Sequence, residues 1–169
     1  PRLARPSRRP AGPRIAGRLF PVADLVSAAD ASTKDILWGF LERYIPGATP
    51  ASQPVLDQLA GYAIHYYEDF VKPSKRFRAP DEREAAAMRA LVAGLKALPP
   101  GADAEAIQTL VFEVGKEVGF EPLRAWFAAL YEVLLGQTQG PRFGSFAALF
   151  GCVQTAALIR QALTGAFAP

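Results

Sequence analysis

Apolar positions recur every three to four residues along most of this 169-residue chain, and no stretch alternates polar and apolar residues long enough to argue for a strand. The pattern predicts an all-α domain, a helical bundle or cage of about eight helices with short connections. A short helix fits residues 19–29. Ser32 followed by Asp35 reads as a capping box opening a second helix that runs to about Tyr44, before Ile45-Pro46-Gly47. Ser52 and Pro54 start a third that runs to about Val71, where Pro73 stops it. Its expected apolar stripe is Leu56, Leu59, Ala63, Tyr66, Tyr67 and Phe70.

Asp81 and Glu84 cap a fourth helix ending near Leu98, and Asp103 caps a fifth that Gly119 ends. Pro122 starts a sixth that runs to Leu135. A seventh fits residues 142–150, with Pro141 in its first turn and Gly151 past its end, and an eighth covers residues 153–163.

Half of the residues are hydrophobic, enough for a core, and the length suits one domain or one domain with a tail. The net charge of +3 belongs to the tail. Six of the 19 Lys and Arg are the arginines at 2, 5, 8, 9, 14 and 18, and residues 1–18 hold none of the 16 acids. The body keeps 13 bases against 16 acids and is mildly acidic. A Pro/Arg-rich arm of this composition is expected to be flexible. A solvated or truncated linker accounts for it better than an electrostatic hook for RNA or an anionic membrane.

Cys152 is the single cysteine, which excludes an internal disulfide and a multi-cysteine zinc site. It lies in an apolar run and reads as a buried, inert thiol, and a reducing, cytoplasmic setting is expected. No secretory signal is visible, and the longest uncharged run, residues 143–159, is too short and too polar to span a membrane.

The sequence holds no phosphate loop, no nucleophile elbow and no histidine pair at metal spacing. His65 shares a helix face with Gln58, Gly61, Glu68 and Lys72, opposite the apolar stripe, and reads as a surface residue rather than a ligand. The acid pairs Glu82/Glu84 and Glu113/Glu117 read as solvated surface. No catalytic residue and no metal site is assigned.

Two polar stretches stand out. DFVKPSKRFRAP, residues 69–80, places Lys72, Lys75, Arg76 and Arg78 within seven residues, interleaved with Phe70 and Phe77. Cations for phosphates beside an aromatic ring for a base are the ingredients of single-stranded or looped RNA recognition, although a basic loop that balances neighbouring acids has the same composition. GQTQGPRFGSFAALFG, residues 136–151, puts the donors Gln137, Gln139 and Arg142 before a helix start, where free N–H groups and a partial positive charge suit phosphate. Phe143, Phe146 and Phe150 follow on one side of that helix and read as core.

LWGFLERYIPGATP, AIHYYEDFVKPSKRFR and LYEVLLGQTQGPRFGSFAALFG, in this order and spacing, resemble the C-terminal part of class I lysyl-tRNA synthetases. The likeness covers roughly residues 15–163. A shorter pattern, Leu-Gly, then Gly-Pro, then Leu-x-Gly, is shared more loosely with the helical domain of glutamyl-tRNA synthetases. The resemblance implies a parent enzyme that activates lysine with ATP and magnesium and esterifies it to lysine tRNA. Its Rossmann-type catalytic domain carries HIGH-like and KMSKS-like motifs. Neither motif is present, so that domain is expected upstream, the fragment alone is expected to be inactive, and no cofactor is expected in it.

The resemblance also implies an organisation: residues 1–18 as arm, 19–78 as helical connecting region and 79–169 as an anticodon-binding α-helix cage. Lys72, Lys75, Arg76 and Arg78 then become candidates for anticodon-stem phosphates. Gln137, Gln139 and Arg142 become candidates for uracil edges or adjacent phosphates, with Phe77 or Phe143 to stack. Trp126, Phe127 and Tyr131 read as core. The implied partners are the anticodon region of lysine tRNA and the protein's own catalytic domain. A helical protein–protein interaction domain without RNA binding, and a glutamyl-type anticodon domain, are the alternative readings.

Overall fold

A computed structural model describes residues 25–29, 31 and 33–169, the side chain of Tyr44 apart. The arginine arm, Ser32 and most of the expected first helix lie outside the described residues. Residues 25–29 are helical. Seven helices follow: α1 (Lys34–Tyr44), α2 (Pro54–Tyr66), α3 (Glu82–Ala97), α4 (Ala104–Val118), α5 (Arg124–Leu134), α6 (Phe143–Phe150) and α7 (Cys152–Leu163). No strand occurs among the described residues, and the fold is all-α as the periodicity predicts.

Most helix starts follow the sequence signals. Asp81 and Glu84 form a reciprocal capping box at α3, Asp103 caps α4 through Ala106 N, and Gly119 ends α4 at a φ of 84°. Three expectations change. Thr33 takes the cap of α1, its hydroxyl accepting from Ile36 N. Ser52 does not cap α2, because it and Thr49 bond each other reciprocally in the preceding turn. Pro122 lies in a turn ahead of α5, closed by Ala125 N donating to its carbonyl, so α5 begins two residues later than expected.

The α-helical part of the third predicted helix ends at Tyr66. A π-helical turn, Tyr67–Val71, and a 3-10 turn, Lys72–Ser74, complete it. The buried face is Ala60, Ala63, Ile64 and Tyr67. Tyr66 and Phe70, expected in the stripe, are 57% and 66% exposed and pack on each other at 5.4 Å between ring centroids.

One apolar cluster runs from Leu25 and Leu37 through Met88, Leu91, Ile107 and Trp126 to Ile159 and Ala162. Phe40 of α1 stacks on Phe150 of α6 at 5.2 Å, so packing joins residues on both sides of position 78. Trp126 is fully buried and donates Nε1–H to Val111 O. The tightest crossing sets α4 against α6. A Cβ on Gly144 would stand 2.2 Å from Ala104 O, and Gly144 N donates to buried Gln108 Oε1 at 2.7 Å. Only glycine lets the two backbones approach this closely. No single helix among the described residues is long and apolar enough to cross a membrane. The α6–α7 pair is bent by 108°, with Phe146, Ala147 and Ile159 buried in the core.

Candidate nucleic-acid interface

The two polar stretches, 60 residues apart in sequence, meet in space. Arg76 N donates to Gly136 O at 2.9 Å, which stitches the basic loop to the start of the glycine elbow. Gly136 has a φ of 66°, and a Cβ there would lie 3.0 Å from the Phe77 ring. The glycine thus supplies both the left-handed backbone and the room for Phe77.

Local chemistry shapes the loop. Pro73 sits in the 3-10 turn, and Ser74 Oγ donates to Val71 O. Lys75 then goes extended. Its ammonium lies 4.9 Å from the Tyr67 ring centroid and 5.2 Å from that of Phe77, and it donates to Ser27 Oγ. Phe77 is half-buried between Lys75 and Phe167, whose ring lies 5.6 Å away.

Arg78 has a different environment. Its Nη1 and Nη2 form a fork onto Glu84 at 2.7 and 2.9 Å, and its Nε donates to Glu132 at 2.5 Å. Pairing with Glu84 first, and with Glu132 after it, raises the guanidinium above its already high pKa. Glu84 is 8% exposed and also accepts from Asp81 N. It is therefore not the solvated acid its sequence position implies. Arg78, expected at a phosphate, is a clamp that ties the loop to α3 and α5.

Arg76 is exposed, and its guanidinium donates to Pro73 O and Lys75 O, the loop's own carbonyls. Lys72 is exposed as well. Around Arg76 lies a cleft of about 550 Å³, lined by Ser74, Arg76, Phe77 and Arg78 of the loop, Glu132 of α5, and Gly136, Gln137 and Thr138 of the elbow. Gln137 N donates to Tyr131 O at 3.3 Å, and the Tyr131 hydroxyl donates to Pro141 O, so both ends of the elbow are tied to α5.

The other elbow candidates separate. Gln139 lies on the opposite side of the elbow, in a second cleft with Arg124 and Tyr131. Arg142 is the N-cap residue of α6 and pairs with Glu105 at 2.6 Å; with side chains 48% and 74% exposed, the pair is worth under about 1 kcal/mol. Phe143 is 2% exposed and packed toward Phe146, so it offers no face to a base.

The structure therefore joins Arg76, Phe77, Arg78 and Gln137 in one cleft and places Gln139 next door, with Lys75 and the paired Arg78 also holding the loop. Sequence reasoning missed Thr138, Arg124 and the clamp acid Glu132. Nothing within a helical turn of Glu132 points to Arg78, 54 positions earlier in the chain. His65 is exposed, and no three His, Cys, Asp or Glu side chains gather to hold a metal among the described residues.

No family model and no solved structure matches the chain. Curated relatives do. The chain is 49% identical over 142 residues to a lysine–tRNA ligase of Roseobacter denitrificans. It is 44% identical over 140 residues to that of Rickettsia bellii, and 41% over 140 to that of Rickettsia felis. These alignments cover 83–84% of the chain and 27% of each relative, so the chain spans about a quarter of the length of the proteins it matches. Along five-sixths of its length, the chain is thus related to a segment of the lysine–tRNA ligases.

Proposed function

We propose that the chain is the anticodon-recognition module of a class I lysine–tRNA ligase. The observation that carries this reading is the cleft where the basic loop and the glycine elbow are stitched together by Arg76 N and Gly136 O. It offers an exposed guanidinium for phosphate, bonded only to its own loop's carbonyls, an amide and a hydroxyl for a base edge, and an aromatic ring at its wall. Its one carboxylate, Glu132, is occupied by Arg78 and does not repel the RNA. The lysine name of the relatives favours this over a glutamyl-type domain.

In this reading residues 19–78 connect, residues 79–169 form the cage, and the cleft draws on both. Attachment of lysine to its tRNA with ATP and magnesium belongs to a catalytic domain of the longer, cytoplasmic protein, and the chain alone is inactive. The test is binding of lysine tRNA against another tRNA over a salt series. Affinity that depends on the anticodon uridines and falls steeply with salt is expected. Equal binding of both tRNAs, or none at low salt, would overturn the reading.

One observation favours a second reading, a protein-interaction domain. Tyr62, Tyr66 and Phe70 form an exposed row at four-residue spacing, beside Glu68 and Asp69. Serine at all three positions should leave tRNA binding unchanged if the first reading holds.

A further inference from the structure

Two clefts flank residues 136–140, and Thr138 lines both. We propose that they take successive unpaired nucleotides of one RNA strand, the second held by Arg124, Gln139 and the Phe127–Tyr131 wall. This inference rests on the RNA-binding reading above and adds a subsite to it.

The second cleft measures about 590 Å³, within the roughly 300–1,000 Å³ usual for small-ligand sites. It is open to solvent, which suits one unit of a polymer. Arg124, Phe127, Ala128 and Tyr131 line it from α5, at the three- and four-residue spacing of one helix face. Thr138 and Gln139 close it from the elbow.

Its walls are fixed before any ligand arrives. The Tyr131 ring packs under Gly140, where a Cβ would stand 2.6 Å away, and its hydroxyl is held by Pro141 O. Phe127 is half-buried, edge-on to Phe112 at 5.1 Å. An aromatic wall beside an amide and a hydroxyl provides a face for stacking and donors for a base edge.

Arg124 is the second, independent pointer. It is exposed in the first turn of α5, a turn with no acid. The positive end of the helix dipole disfavours a cation there. Among the described residues it makes no hydrogen bond or ion pair, unlike Arg78 and Arg142. No carboxylate lines this cleft. A cation at an unfavourable helix end, facing an acid-free cleft with aromatic walls, fits an anionic ligand such as the phosphate between two nucleotides. Thr138, shared by both clefts, sits where that phosphodiester would cross the elbow.

The experiment uses this chain and a hairpin RNA with a uridine-rich loop, carrying 4-thiouridine at one loop position at a time. Cross-links from two neighbouring positions are expected in separate peptides, one holding residues 76–78 and the other residues 124–131. Arg124→Ala is expected to weaken hairpin binding about 5- to 50-fold and to lower the salt slope by about one, with the melting temperature unchanged. Gln139→Ala should weaken binding on uridine loops more than on abasic ones. If the hairpin binds and Arg76→Ala weakens it, while Arg124→Ala binds as wild type and no cross-link reaches α5, the second subsite is refuted and the first cleft stands. Absence of any hairpin binding by the wild type at low salt would overturn both.

Discussion

Replacing Arg78 by alanine should destabilise the fold by about 2–3 kcal/mol, whereas replacing Arg76, two residues away, should leave stability almost unchanged. The contrast follows from their partners. Arg78 makes three charge-assisted bonds, two to Glu84 at 2.7 and 2.9 Å and one to Glu132 at 2.5 Å. Each such bond contributes roughly 1.5–3 kcal/mol when closed off from water. Arg78 and Glu132 keep side-chain exposures of 40% and 29%, which lowers the Glu132 pair toward the surface value of under about 1 kcal/mol.

Glu84 decides the total. Its side chain is 11% exposed, and without Arg78 its charge would keep one partner of its own, the Asp81 N–H. A loss of about 2–3 kcal/mol lowers the melting temperature of a domain of this size by about 5–10 °C. Thermal unfolding followed by circular dichroism at neutral pH reads this directly. Glu132→Gln keeps an acceptor for Arg78 Nε and should lose about 1 kcal/mol or less. Arg76→Ala should melt within about 0.5 kcal/mol of wild type and weaken RNA binding. If Arg78→Ala melts like wild type but loses RNA binding, Arg78 is a contact and not a clamp.

Three further outcomes are expected. Gly144→Ala should destabilise by about 1–3 kcal/mol in urea unfolding, because its Cβ meets the Ala104 carbonyl and the α4–α6 backbones must separate; a neutral result would mean that crossing is loose. Asp57 accepts from Lys34 Nζ at 2.8 Å and from Trp38 Nε1 at 3.0 Å, and the Lys34 bond, followed by that of Trp38, lowers its pKa below the ordinary 3.8. Its stabilising contribution is complete above that ordinary value and fades as pH falls through the lowered one, so a carboxyl titration by NMR should give a midpoint below 3.8 and not above it. Partial burial raises the Cys152 thiol, so at mild alkaline pH it should react with a disulfide reagent more slowly in the folded chain than in urea; equal rates would contradict the burial.

Much of the fold was legible in local signals. Asp81, Asp103 and Gly119 mark helix ends because caps act within one turn, and the chain needs no distant partner to realise them. The π-helical turn at Tyr67–Val71 was not legible, and it moved the buried face so that Tyr66 and Phe70 look outward. A period of 3.6 cannot signal a register change inside a continuous apolar run. The candidate site was legible as two segments but not as one place.

The sequence by itself determined that the chain is helical, where most helices begin and end, that its basic excess sits in residues 1–18, and which two stretches concentrate donors and cations. Tertiary structure decided what each of those residues does. Arg76 and Arg78 are the same residue type two positions apart. Both line one open cleft, but the guanidinium of the first bonds only its own loop's carbonyls, while that of the second meets acids from positions 84 and 132. Phe143 and Phe77 are likewise alike in sequence, and packing closes the first in the core while Gly136 leaves the second at a cleft wall. The physical reason is that charge pairing and burial depend on neighbours brought together from distant parts of the chain, whereas caps and helical period depend on residues within a turn of each other.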